Sequence, residues 1–166
     1  MIIRKYHRET DTLFLYSEIE RLGLFADHII GSDIEFSSFF ERQLRYYYSD
    51  FWIIEDQQSK QQKGFVYIYD YRIKDGHCIF DFHINSSNRE QKRQLIQQVI
   101  NSLFREYPLN CIFIYVDTCD FDKAELCTGF GAKQEALLKE YHFKNGSYVD
   151  VKVMSLRREL HTGVLL

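Results

Sequence analysis

The run Ile79-Phe80-Asp81-Phe82-His83-Ile84 sets a carboxylate and an imidazole two positions apart inside an apolar strand pattern. Side chains alternate along a strand, so Ile79, Asp81 and His83 share one face while Cys78, Phe80, Phe82 and Ile84 share the other. Asp81 and His83 side by side make a proton-accepting pair, because an imidazole changes charge near neutral pH. The plainer reading is two polar residues on a partly wet strand. A second group follows at once: Ser86, Ser87 and Asn88 can cap a helix, and Arg89, Lys92 and Arg93 bring three positive charges to its first turns. By residue types alone this group reads as an ordinary capped helix with a solvated first turn. The four cysteines, Cys78, Cys111, Cys119 and Cys127, include no C-x-x-C pair, which argues against a zinc site. Cys78 and Cys111 read as small buried residues on strands.

These groups need elements to hold them. Ile2 to Tyr6 reads as a short strand and Asp11 to Leu22 as a helix stopped by Gly23. Ser32-Asp33-Ile34-Glu35 is a capping-box pattern that opens a second helix with Phe36, Phe39, Phe40, Leu44 and Tyr47 on one face. Strands are expected over Phe51 to Glu55, Gly64 to Tyr71 and His77 to Ile84, the last two joined by the Asp75-Gly76 turn. Residues 88 to 107 form the longest helix, with Leu95, Ile96, Val99, Ile100, Leu103 and Phe104 as a 3.6-residue stripe. Cys111 to Val116 is a continuous apolar run, expected of a strand covered on both faces. A short helix follows around Asp122 to Cys127, and two closing strands turn at Asn145-Gly146. The order β-α-α-β-β-β-α-β-α-β-β implies an α+β fold, a mixed sheet with helices on both sides.

At 166 residues the chain is expected to be one domain, residues 1–166, with enough length to bury a core. Hydrophobic residues at 45% exclude a disordered chain. A net charge of −3 argues against a general nucleic-acid binder and leaves a cationic substrate open. No apolar run approaches the roughly 20 residues of a membrane span. Met1-Ile2-Ile3-Arg4 carries no signal-peptide core, so a soluble cytoplasmic location is expected, without membrane contact.

The closing third is the most specific stretch. Gly131 to Glu140 reads GAKQEALLKE, followed by YHFKNG and then SYVDVKVMSL to Leu156. This resembles the end of the GNAT N-acetyltransferases, in the branch of ribosomal-protein and spermidine acetyltransferases. That branch usually ends in a "GF" turn, an E-G pair, a strand, an "NG-x-Y-x-D" hairpin and a strand ending "M-x-L". Ala132 stands where Phe is usual and Ala136 where Gly is usual.

The resemblance implies direct transfer of an acetyl group from acetyl-coenzyme A to a primary amine, without a metal. The acceptor would be a polyamine, another small amine or a protein N-terminus, with a homodimer left open. Family helices at the donor site begin Q/R-x-x-G-x-G/A, and Asn88 and Glu90 stand at the two glycine positions. The donor-binding residues implied are Phe82, Ile84, Asn88, Arg89, Gln91, Lys92 and Arg93. Asp120 takes the place of a usual Asn, and Lys123 that of a usual Ser. Asp81 and His83 would lie where donor and acceptor meet, and Cys127 matches the Tyr that serves as acid in many members. The acceptor pocket would draw on Glu35, Glu41, Tyr46, Tyr47, Tyr48 and Asp50. The competing expectation is a GNAT-fold protein without catalysis, serving as a binding or assembly module.

Overall fold

The computed structural model describes residues 1–22, 38, 50–144 and 146–158. The expected second helix and most of the expected acceptor residues, Glu35, Glu41, Tyr46, Tyr47 and Tyr48, lie outside the described residues. The strands are β1 (Ile2–Lys5), β2 (Asp50–Glu55), β3 (Gln62–Arg72), β4 (His77–Ile84), β5 (Cys111–Asp117), β6 (Lys133–Lys144) and β7 (Ser147–Arg157). The helices among the described residues are α1 (Arg8–Leu22), α2 (Arg89–Glu106) and α3 (Phe121–Gly129). The seven strands form one mixed sheet in the order β1-β2-β3-β4-β5-β7-β6. This is the expected α+β class, with β4 and β5 parallel and their neighbours antiparallel where register is defined. No described helix is long and apolar enough to cross a membrane.

By contacts the chain divides into two compact units. The first comprises Met1–Asp70 and Phe82–Asn85. In it α1 lays Leu15 and Ile19 on Phe51 and Ile53 of β2 and Phe65 and Tyr67 of β3, all buried. The helix begins three residues earlier than its apolar pattern suggests. The reason is Asp11, whose carboxylate reaches back to accept the His7 N–H at 2.7 Å and so closes the first turn from within. Gly64 allows the end of β4 to come close: a Cβ there would stand 2.1 Å from the His83 carbonyl oxygen.

The second unit comprises Tyr71–Asp81 and Ser86–Leu166. The Asp75-Gly76 turn is present, with Gly76 at φ 64°, a conformation that suits glycine. Helix α2 has no Gly or Pro within it and buries the six residues of the expected stripe. It stops at Tyr107, whose extended backbone (φ −116°, ψ 144°) is what a following proline demands. In β5 alternate residues Phe113 and Tyr115 stay half-exposed, so the apolar run is not covered equally on both faces. The parallel ladder pairs His77 with Cys111, Cys78 with Ile112 and Ile79 with Phe113. Phe80 and Asp81 continue β4 beyond that register. On the far side β5 pairs with β7 along its whole length, from Cys111 opposite Arg157 to Asp117 opposite Val151.

Candidate functional site

The start of α2 is built by Asn88. Its side-chain oxygen accepts the Gln91 N–H at 2.9 Å, its carbonyl accepts the Lys92 N–H at 3.1 Å, and its own N–H donates to Ser86 Oγ at 3.2 Å. This is an N-cap, in which the side chain occupies one of the open donors of the first turn. The N–H groups of Arg89 and Glu90 take no hydrogen bond among the described residues. The three expected cations have different neighbours. Arg89 meets Glu125 at 2.5 Å and Asp122 at 3.9 Å, both on α3. Arg93 pairs with Glu90 at 3.0 Å. Lys92 has no ion pair among the described residues. The Glu90 carboxylate turns down the helix onto Arg93 and Gln94, and these hydrogen bonds hold it below the usual glutamate range. It therefore does not face the open N–H groups. Ion pairs between exposed side chains are weak, so Arg89 and Arg93 can exchange partners for an anion. Open donors with cations on the same turn fit a phosphate, although the Asn88 side chain is spent on the cap.

Asp120, expected to contact the donor, is the N-cap of α3: its carboxylate accepts the Lys123 N–H at 3.0 Å. The Lys123 side chain runs on to Asp81, with Nζ 2.5 Å from Oδ1. Both side chains are largely enclosed, at 13% and 17% exposure. Burial pulls the Lys123 ammonium toward neutrality, but the Asp81 charge and hydrogen bond outweigh it and hold Lys123 above the usual lysine range. Asp81, expected beside His83 as a proton acceptor, thus has a buried cation as its partner. Cys127, expected as an acid, sits one helical turn after Lys123 and is fully buried. Burial pushes its thiol up to about 12. A thiol so enclosed packs and keeps its proton. Cys78 and Cys111 are buried as expected, Cys119 is exposed, and all four are free thiols.

One group was not singled out in the sequence. At the end of β5, Asp117 accepts from Lys144 at 2.9 Å and lies 2.7 Å from His142 Nδ1, both on β6. Burial raises its carboxyl, and the hydrogen bonds from Lys144 and His142 more than offset that. His142 and Lys144 are two apart on a strand and so share a face, which is visible in sequence. That this face meets the end of β5 is not.

In the first unit, His83 lies with its ring 5.1 Å from Phe65 and 6.4 Å from Tyr67, and its Nε2 is shielded from solvent. Beside it on β4, Phe82 is buried and Ile84 half-buried. Asp50, the one expected acceptor residue within the described chain, pairs with Lys5 at 3.0 Å. An open groove of about 740 Å³ is lined by Arg4, Lys5, His7, Glu55, Lys60 and Gln62, among others. Its polar groups are largely engaged with one another. Among the described residues no cluster of His, Cys, Asp and Glu is arranged to hold a metal ion.

No family model matches the sequence, and neither does any curated protein. Solved structures do match. A variant of the spermidine N-acetyltransferase SpeG from Vibrio cholerae aligns with a TM-score of 0.86 at 20% identity, covering 98% of both chains. A chimera of the V. cholerae enzyme and hSSAT aligns at 0.85 and 21% identity, over 99% of this chain and 100% of that one. The dodecameric spermidine N-acetyltransferase from V. cholerae in an intermediate state aligns at 0.85 and 21%, over 97% and 95%. At this level of identity the likeness is one of fold: the chain shares the fold of these acetyltransferases, the fold its closing motif implies.

Proposed function

We propose that this protein is an acetyl-coenzyme A-dependent N-acetyltransferase whose acceptor is a polyamine. The observation that carries the reading is the full-length fold shared with spermidine N-acetyltransferases. Fold alone does not specify chemistry, so the start of α2 matters as well. It offers the N–H groups of Arg89 and Glu90, the cation of Lys92, and two more cations in exchangeable pairs, which suits a pyrophosphate. Bound acetyl-coenzyme A would supply an activated thioester. The acceptor must attack as a neutral amine, since an ammonium has no lone pair, and a polyamine nitrogen near the lysine value of about 10.4 is mostly protonated at pH 7. In this reading His83 takes that proton, directly or through one water. The mild negative charge of the chain favours a cationic acceptor. Assembly of several copies belongs to the reading, because one structure with the same fold is a dodecamer. So does a cytoplasmic location.

A second reading, a binding or assembly module without catalysis, is favoured by one observation: the Asn88 side chain occupies the Gln91 N–H, and no glycine opens the turn. Calorimetry with acetyl-coenzyme A, followed by an acetylation assay with spermidine, separates the two. Saturable binding with transfer to spermidine is the expected result. Binding without transfer to any amine tested would support the module, and absence of binding would remove the donor site from α2.

A further inference from the structure

We propose that Lys123 is the group that stabilises the negative charge on the departing thiolate, and that Asp81 is the residue that positions it. The inference rests on the acetyl-transfer reading above and names a residue for a role that the enclosed Cys127 cannot fill.

The argument begins with placement. The ladder between β4 and β5 ends at Ile79 and Phe113, and Asp81 stands two residues beyond that end. Lys123 comes from the first turn of the helix that follows β5. The ion pair therefore lies where the two parallel strands no longer hydrogen-bond to each other. The Lys123 residue is also held at both ends: its backbone N–H is fixed by Asp120 at 3.0 Å and its ammonium by Asp81 at 2.5 Å. A long, rotamer-rich side chain is thus pre-organised, so little reorganisation is needed when charge appears nearby.

Next comes cost. Taking an ammonium and a carboxylate largely out of water is expensive, and an apolar pair of similar volume often serves stability as well or better. On the same helix Leu126 and Cys127 are simply buried, whereas Lys123 carries a charge into a largely enclosed place. Lys123 and Cys127 are four residues apart and share a helix face. The residue at the second position is inert, and the one a turn earlier carries a full positive charge.

The chemistry follows from that charge. The amine lone pair forms the C–N bond while the carbonyl π pair moves onto oxygen. When that pair returns, the C–S bond breaks and its electrons leave on sulfur. The amine proton goes to the base, and sulfur departs as a thiolate facing the Lys123 ammonium. Because Asp81 keeps Lys123 protonated, the lysine acts as a fixed cation, and solvent protonates the thiolate after release. Asp81 does not take the amine proton in this scheme.

The test compares wild type with Lys123→Met, Lys123→Arg and the double variant Asp81→Leu with Lys123→Met, the last as insurance against misfolding when Asp81 loses the lysine. Calorimetry measures the affinity for coenzyme A and for desulfo-coenzyme A from pH 6 to 9, and steady-state kinetics measures spermidine acetylation. In wild type the preference for coenzyme A over the desulfo compound should grow with pH as the bound thiol ionises, by about tenfold for one unit of thiol pKa. Loss of the lysine cation should flatten that dependence. It should also lower kcat by roughly 10²–10³-fold, the effect of removing one donor at a developing anion, with KM for acetyl-coenzyme A little changed. Lys123→Arg should recover part of both effects. A folded Lys123→Met, or the double variant, with wild-type kcat and a wild-type pH dependence of the affinity ratio would overturn the inference while leaving the acetyltransferase reading intact. A wild-type protein that neither binds coenzyme A nor acetylates spermidine would overturn both.

Discussion

Asp11 is fully buried on α1, and its carboxylate is surrounded by donors. Oδ2 accepts from Arg4 at 2.6 Å and from the His7 N–H at 2.7 Å, while Oδ1 accepts from Arg4 at 2.8 Å and Gln62 at 2.7 Å. Arg4 turns its remaining edge to Glu55 at 3.0 Å. One arginine thereby ties β1 to both α1 and β2. Removing one partner of such a pair leaves a poorly solvated charge behind. Asp11→Ala should therefore cost roughly 3 kcal/mol in urea denaturation, the low end for a buried pair, because Arg4 is still partly wet. Arg4→Leu combined with Asp11→Leu should cost clearly less than Asp11→Ala alone. In the sequence, Arg4 and Asp11 are unremarkable charges seven residues apart. Asp81 likewise reads as a neighbour of His83, and only its distance to Lys123 shows which partner holds it.

Helix α2 was legible nearly to the residue. Its stripe, its cap region and its proline stop are all local features, and the structure places its ends at Arg89 and Glu106. What the pattern left open was which side chain makes the cap. Asn88 does, and this has a consequence for the donor. Asn88→Ala should lower stability by about 1 kcal/mol, and Asn88→Gly by only a few tenths. If the α2 turn holds the pyrophosphate, Asn88→Gly should also tighten acetyl-coenzyme A, because it releases the Gln91 N–H and removes a side chain from the turn. Thermal shift and calorimetry on the two variants read both quantities, and an affinity unchanged in Asn88→Gly would place the pyrophosphate elsewhere. The end of the β4–β5 ladder at Ile79 and Phe113 has no such local signature. It depends on how two strands 34 positions apart, His77 with Cys111, enter and leave register.

Across the described chain, carboxylates held below their ordinary values recur: Asp11, Asp56, Glu90, Asp117, Glu135 and Asp150. A depressed carboxyl contributes stability that is fully present above its unfolded value and is lost as pH falls through its folded value. Lys123 and Lys144 are raised, so their contribution is present below the unfolded value and lost as pH rises through the folded one. Both signs predict a plateau between about pH 5 and pH 9, with stability falling below about pH 4. The exposed members add little after screening, so Asp11 and Asp117, both largely buried, should dominate the acid limb. Denaturation midpoints measured at intervals of pH check this. Asp117→Asn should soften the acid limb, and a protein whose midpoint climbs steadily from pH 3 to pH 7 would contradict the assignment.

The sequence by itself determined the strands and helices of the described residues to within a few positions, their order and the fold class. Those depend on short-range physics: a 3.6-residue stripe in α2, alternation in β4, a glycine turn at Gly76, a proline after Tyr107. It also marked the closing hairpin whose pattern carries the family likeness. Only the tertiary structure decided which charges meet. Lys123 and Asp81 are 42 residues apart, His142 and Asp117 are 25 apart, and Arg4 and Glu55 are 51 apart. Such pairs follow from strand register and from which side chains lose their water. Both are properties of the assembled sheet and its helices, so no local pattern of residue types announces them.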